Sequence, residues 1–142
     1  MSRMNNDLFA LVRCGAQFRG EETAAFGLKG CHIGYLTRIC YPPGISQDQL
    51  AQMMFINKSN VARQVALLEE EGFVTRSASA ADKRVLELYP TEKTLALLPS
   101  LLEIVNRWDG ILMEGLTEEE VQTVSRILGK MKENAAAWSS GR

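Results

Sequence analysis

Between Ser46 and Tyr89 the spacing of apolar residues changes period, and the changes mark out helix, turn, helix and hairpin. Leu50, Met53 and Met54 recur at helical spacing, with Ala51 small enough for a second helix to approach closely. Ser46 opens this helix and Gln49 follows three residues on, the pattern of a capping box in which each side chain bonds the other's backbone N–H. Phe55 and Ile56 fill the turn, and Asn57 caps the next helix by accepting one of its free N–H groups. In that helix Val61, Val65 and Leu68 form one apolar stripe, and Gly72 supplies the residue that ends it. The period then shortens. Phe73, Val74 and Thr75 predict a strand, residues 77–83 a small polar loop, and residues 85–89 the returning strand.

The flanks are helical and apolar on one side. Leu8, Leu11, Cys14 and Phe18 share a face near the N-terminus, in a segment that Gly15 and Gly20 weaken. Gly27 to Gly30 separate it from a helix carrying His32, Tyr35, Leu36, Ile39 and Cys40, which Pro42-Pro43-Gly44 terminates. A long helix is predicted over 92–113, with Leu95, Leu98, Leu102 and Val105 on its apolar face, continued by Trp108 and Leu112, and with Pro99 inside it. Thr117 and Glu120 make a capping box for a last helix through Val121, Val124, Leu128 and Met131, followed by a small polar tail. The first, fifth and sixth helices have no obvious partner within a small winged module. Pairing with a second copy of the chain buries them most simply.

The predicted fold class is mainly α with a small β-hairpin wing: a winged helix-turn-helix with N- and C-terminal dimerisation helices. One domain is expected over 1–142, with N-terminal helices over 1–41, a DNA-binding module over 45–90 and dimerisation helices over 91–142.

The polar residues suit that architecture. The second helix of such a module enters the major groove N-terminus first. Its polar face carries Lys58, Ser59, Asn60, Arg63 and Gln64. Lys58 and Ser59 suit phosphate oxygens, Arg63 suits guanine, and Asn60 and Gln64 suit adenine. A solvated helix face commonly looks like this, so the hairpin matters. Lys83 and Arg84 sit at its tip, and Asp82 lies two residues before Arg84. An aspartate so placed can hold a guanidinium in a fixed fork, and an arginine so held can enter a narrow minor groove. A plain surface turn with an ordinary ion pair is the alternative.

Asp82-Lys83-Arg84, the apolar strand after it and Thr91-Glu92-Lys93 resemble the wing signature of the multiple-antibiotic-resistance regulator (MarR) family. Leu50-Ala51, the 57–68 helix, Gly72-Phe73-Val74 and Arg76 are similar to that family's helix-turn-helix without gaps. The resemblance is specific between Ser46 and Lys93. It implies a homodimeric winged-helix DNA-binding regulator, with Arg84 as the wing arginine, Asp82 as its acidic partner, and dimerisation by the outer helices. It further implies a small-molecule effector in a crevice between the dimer helices and the winged module, which Phe18, His32, Tyr35 and Leu36 could line. Some relatives use a first-helix cysteine as a thiol sensor, a position that Cys14 occupies. The plainer reading of all five is that they are core residues. Pro90 stands where the family has Leu, and Thr94 where it has Gly. These departures bear on the strand end and the start of the next helix.

The net charge is −1, and residues 46–92 hold five basic against seven acidic side chains (Asp48, Glu69, Glu70, Glu71, Asp82, Glu87 and Glu92). A generally basic nucleic-acid coat is excluded, and DNA recognition must come from local placement. The opening MSRMNNDLF lacks the apolar run of a signal peptide, and no stretch approaches the length of a membrane span. Three cysteines cannot pair completely, which points to the reducing cytoplasm. With one histidine and no CxxC spacing, neither a metal site nor a catalytic triad is expected, and no cofactor. The reading is a non-enzymatic, sequence-specific regulator, most simply a repressor, on a pseudo-palindromic DNA operator. The alternatives are a thiol-sensing regulator or a winged helix used only for protein contacts.

Overall fold

Local hydrogen bonds set where the helices begin. The computed structural model describes residues 2–141. Ser2 caps α1 (Arg3–Thr23) by accepting from the Asn5 N–H, and a 3-10 turn (Ala24–Phe26) leads on to α2 (His32–Cys40). The chain then forms β1 (Ile45–Ser46) and α3 (Gln47–Met54), whose capping box between Ser46 and Gln49 is complete. Asn57 caps α4 (Lys58–Glu70) through the Asn60 N–H. β2 (Val74–Ala78) and β3 (Leu86–Pro90) follow, then α5 (Glu92–Met113) and α6 (Glu118–Ser140), the last with a complete Thr117–Glu120 capping box. Two compact units result, one ending at Trp108 and the other starting at Asp109, so the division falls inside α5.

In the first unit the sheet has three antiparallel strands in the order β1-β3-β2, one more than the expected hairpin. β1 is two residues long, too short for alternation to reveal. Gly44, at φ +92°, turns the chain into it and donates its N–H to the Leu88 carbonyl at 2.8 Å. The core beneath is built from Leu36, Ile39, Leu50, Phe73, Leu88 and Leu101, together with the α4 stripe Val61, Val65 and Leu68. That stripe is at most 1% exposed, and each such side chain stabilises the fold by about 1.5–3 kcal/mol on burial. Ala51 is buried, where the short side chain lets α3 approach α4. Phe55 and Ile56 stand in the turn between α3 and α4, but the Phe55 ring does not pack there. Phe55 adopts φ +55° to cap α3 with its N–H, and that conformation leaves its ring exposed, while Ile56 packs against the core.

The strand end and the start of α5, where Pro90 and Thr94 depart from the family pattern, are well ordered by hydrogen bonds. Pro90 pairs with Val74 at the strand terminus, and the Thr91 N–H closes the ladder onto the Phe73 carbonyl at 3.2 Å. Thr94 is buried and its hydroxyl donates to the same carbonyl. Thr91 donates to the Gly72 carbonyl, and the Lys93 ammonium reaches the Glu71 carbonyl and lies over the Phe73 ring. These bonds set the rotation of α5. Its buried face is therefore Thr94, Leu98, Leu101 and Ile104, and the expected face members Leu95 and Leu102 are exposed. Leucines surround so much of this helix that periodicity alone cannot choose the face.

Gly15 does not break α1. It is buried, and a Cβ there would stand 3.3 Å from the Trp108 ring, so the missing side chain lets the tryptophan pack closely. Phe18 stacks on Trp108 with ring centroids 5.4 Å apart, and Arg107 pairs with Glu22. Leu8 and Phe18 are half-buried, but Leu11 and Cys14 on the same face are exposed, as are Met4, Phe9 and Val12.

In the second unit no residue of α6 is buried, although Val121, Val124, Leu128 and Met131 follow the helical period. Ile111, Leu112, Met113, Leu116, Val124, Ile127 and Leu128 are exposed apolar side chains. α6 also runs on to Ser140, through residues expected to form a tail. Ala135, Ala136 and Ala137 are the best of helix formers and extend it.

Candidate nucleic-acid interface

The exposed side of α4 begins at its cap. Asn57 Oδ1 accepts from both the Ser59 hydroxyl, at 2.9 Å, and the Asn60 N–H, at 2.8 Å. Ser59 is thereby held at the first turn, where the helix dipole favours a phosphate oxygen. Lys58 meets Asp48 of α3 at 3.5 Å, but both side chains are largely exposed, and such a pair contributes little. Arg63 is exposed and has no ion pair or hydrogen bond among the described residues. Its guanidinium and five donors are available to a ligand.

Gln64 is placed differently from the other polar residues of α4. It is half-buried, and its Oε1 lies 2.9 Å from Nε2 of His32 on α2. Its amide oxygen is therefore engaged within the chain, which its place on the polar face of α4 did not lead one to expect. A sequence cannot show the bond, because 31 residues separate the partners and neither belongs to a local pattern.

At the wing, Arg84 Nε and Nη2 donate to the two oxygens of Asp82 at 3.1 and 3.2 Å, and the Arg84 backbone N–H donates to Oδ1 at 3.0 Å. The fork and the turn thus share one carboxylate. The guanidinium beside it holds the Asp82 carboxyl below its usual pKa. The Arg84 side chain nonetheless remains 90% exposed, so its orientation is set without its being covered. Lys83 is exposed beside it.

A second brace escaped the sequence reading. Arg76 of β2 donates through Nε and Nη2 to Glu69 Oε1 at 3.2 and 2.9 Å, tying the end of α4 to the wing across the Gly72 turn. The bond holds the Glu69 carboxyl below its ordinary range. Opposite charges seven residues apart around a glycine turn were the available signal.

Of the residues proposed for an effector crevice, three are buried and the fourth is half-buried. His32, Tyr35 and Leu36 are 5%, 1% and 0% exposed, and Phe18 lies against Trp108. A cavity of about 380 Å³ lies elsewhere, lined by Pro42, Pro43, Ile45, Gln49, Gln52 and Met53. Of the cysteines, Cys14 and Cys31 are exposed, whereas burial pushes the Cys40 thiol up in pKa. Cys14 is therefore not a core residue of the chain. No cluster of three or more potential metal ligands occurs among the described residues, and none of the described helices is long and apolar enough to cross a membrane.

The arrangement has close counterparts. Residues 32–86 match the sequence pattern of the MarR family. An uncharacterized HTH-type transcriptional regulator of Bacillus subtilis, YybA, is 33% identical over 100 residues, 70% of this chain and 67% of that protein. A solved MarR protein from Peptoclostridium difficile is 28% identical and superposes with a TM-score of 0.96, over 99% of this chain and 92% of that one. A MarR family regulator from Listeria monocytogenes, solved in complex with 26mer DNA, is 27% identical with a TM-score of 0.92, over 98% and 93%. The winged helix-turn-helix, its wing arginine fork and these relatives together establish that the chain belongs to the MarR family of transcription regulators.

Proposed function

We propose that this regulator binds a specific double-stranded operator as a homodimer, with α4 in the major groove and the wing at an adjacent minor groove. The observation that carries the reading is Arg84: a guanidinium fixed at two points by Asp82 and still almost fully exposed. A charged group oriented in advance loses less freedom on binding, and a narrow minor groove concentrates the negative potential it would meet. Lys58 and Ser59 supply phosphate contacts, Lys83 adds to them at the wing, and Arg63 and Asn60 reach base edges.

MarR proteins bind operator DNA as dimers. The exposed apolar residues of α1 and of the second unit are the surface that a second copy would cover. A two-fold dimer matches a pseudo-palindromic site. Repression relieved or changed by a small molecule is the mode the family favours. The setting we propose is the cytoplasm, with no catalytic role and no resident cofactor. Exposed Cys14 on α1 favours one second reading, a thiol sensor. Under it, peroxide would release the parent from DNA and leave Cys14→Ser bound.

Selection of bound fragments from a random DNA pool tests the main reading. The expected product is an inverted repeat whose affinity falls steeply as salt rises. Recovery of no enriched sequence would leave the winged helix as a protein-contact module.

A further inference from the structure

The His32–Gln64 bond belongs to a relay whose direction can be deduced. The backbone N–H of Lys29 points at Nδ1 of His32, 3.1 Å away. A backbone N–H can only donate, so Nδ1 is the bare nitrogen of the ring. The proton of the neutral imidazole then sits on Nε2. Nε2–H faces Gln64 at 2.9 Å, so the group it meets is the amide oxygen. One peptide N–H in the loop before α2 thereby fixes which way the Gln64 amide turns: oxygen inward, nitrogen outward. The ring has little freedom to undo this, being 5% exposed and set edge-on to Tyr35 at 6.3 Å between centroids. Burial also favours the neutral ring that the relay requires. The Gln64 nitrogen is bonded to no described residue and is not sealed from solvent, on the flank of α4 that carries Asn60 one turn earlier.

We infer that His32 is a positioning residue for base recognition: it presents Gln64 to DNA as a donor without an acceptor, so that this position prefers guanine and rejects adenine. An unrestrained glutamine pairs with adenine by accepting from N6 and donating to N7. With Oε1 held by His32 only the donor half remains. Guanine offers acceptors at both N7 and O6, whereas the adenine amino group would confront the donor. The inference rests on α4 being the recognition helix.

Two measurements test it. His32 is the chain's only histidine, so its ring nitrogens can be read without ambiguity in ¹⁵N-labelled protein. The expected state near neutral pH is the Nε2–H tautomer, and the Nδ1–H tautomer would overturn the relay. Operators from the selection are then varied one base pair at a time. The parent is expected to prefer guanine over adenine about tenfold at one position of each half-site. His32→Phe keeps a ring but frees the amide, and should bring that preference down to about twofold. Gln64→Leu should erase it at the same position, and His32→Phe added to Gln64→Leu should change nothing more. Gln64→Glu keeps an acceptor for His32 yet offers oxygen outward, so it should turn the preference toward cytosine or adenine; this holds the test open should His32→Phe fail to fold. A parent-like preference in Gln64→Leu or Gln64→Glu, or in folded His32→Phe, would overturn the inference. Arg63→Ala, run in parallel, separates the two levels. If it alone alters recognition, the relay is wrong and the recognition helix stands; if it and the Gln64 variants all bind like the parent, the recognition helix fails and the relay's role with it.

Discussion

α4 and α6 carry the same kind of apolar period and meet opposite fates. The α4 stripe Val61, Val65 and Leu68 is at most 1% exposed, while no residue of α6 is buried. The difference is one of partners. α4 is packed by α3 and the sheet within its own unit, so its apolar face is satisfied and its polar face is free for a ligand. α6 has a capping box and good helix formers, which define it as a helix, but its apolar residues await another surface. An amphipathic pattern therefore says that a face will be covered, not by which chain.

The largest effect is expected from removing α6. Deletion of residues 117–142 is expected to leave the winged module folded, to abolish the dimer and to take operator binding with it. Light scattering and a DNA titration on the same sample would show this. A dimer surviving the deletion would mean that α6 is exposed for some other purpose. The opposite manipulation acts on α4: Leu68→Ala should cost about 2–5 kcal/mol of stability in denaturant unfolding, because it leaves a cavity in a closed core. Val124→Ala, on the open face of α6, should cost far less in unfolding of the isolated chain. Its effect should fall on the dimer dissociation constant.

Smaller effects are expected from the polar face. Asp82→Ala should resemble a mild form of Arg84→Ala, since it frees the guanidinium without deleting it. Affinity should drop evenly across sequences, and most with A/T-rich flanks, with little change in melting temperature. The smallest expected effect is on pH. Burial, opposed in part by the Gln64 bond, lowers the His32 pKa below 6.5, so the unfolded chain takes up its proton before the folded one does. Stability should therefore be full above pH 6.5 and decline as the pH falls through and below that value. Glu69, whose folded pKa is also lowered, adds its own loss only as the pH falls below about 4.5. A denaturant midpoint that falls between pH 7.5 and 5.5 in the parent, and stays level in His32→Phe, would identify the histidine.

Much of the winged module was legible because its signals are local. Ser46, Asn57, Gly72 and Thr117 mark helix ends through bonds to residues within a few positions, and the Asp82–Arg84 fork closes over two residues. What was not legible depended on distant partners. β1 exists only through pairing with β3, and the buried face of α5 is chosen by Thr91, Lys93 and Thr94 reaching back to residues 71–73. Gln64 looked like its neighbours on α4 until His32 claimed its oxygen. The burial of His32 and Tyr35 likewise follows from the packing of α2, which apolar spacing could place on a face but not assign to core or crevice.

In the proposed function α4 and the wing read DNA through two arginines serving different grooves. Titration of Arg63→Ala and Arg84→Ala against the selected operator and scrambled controls, at two salt concentrations, tests it most directly. Arg63→Ala should lose about 1–3 kcal/mol on the operator and relax preference at one position per half-site. Arg84→Ala should weaken operator and controls alike and flatten the salt dependence. Both variants should remain dimers with the parent's melting temperature. Parent-like affinity and selectivity in both would contradict the assignment of these surfaces to DNA.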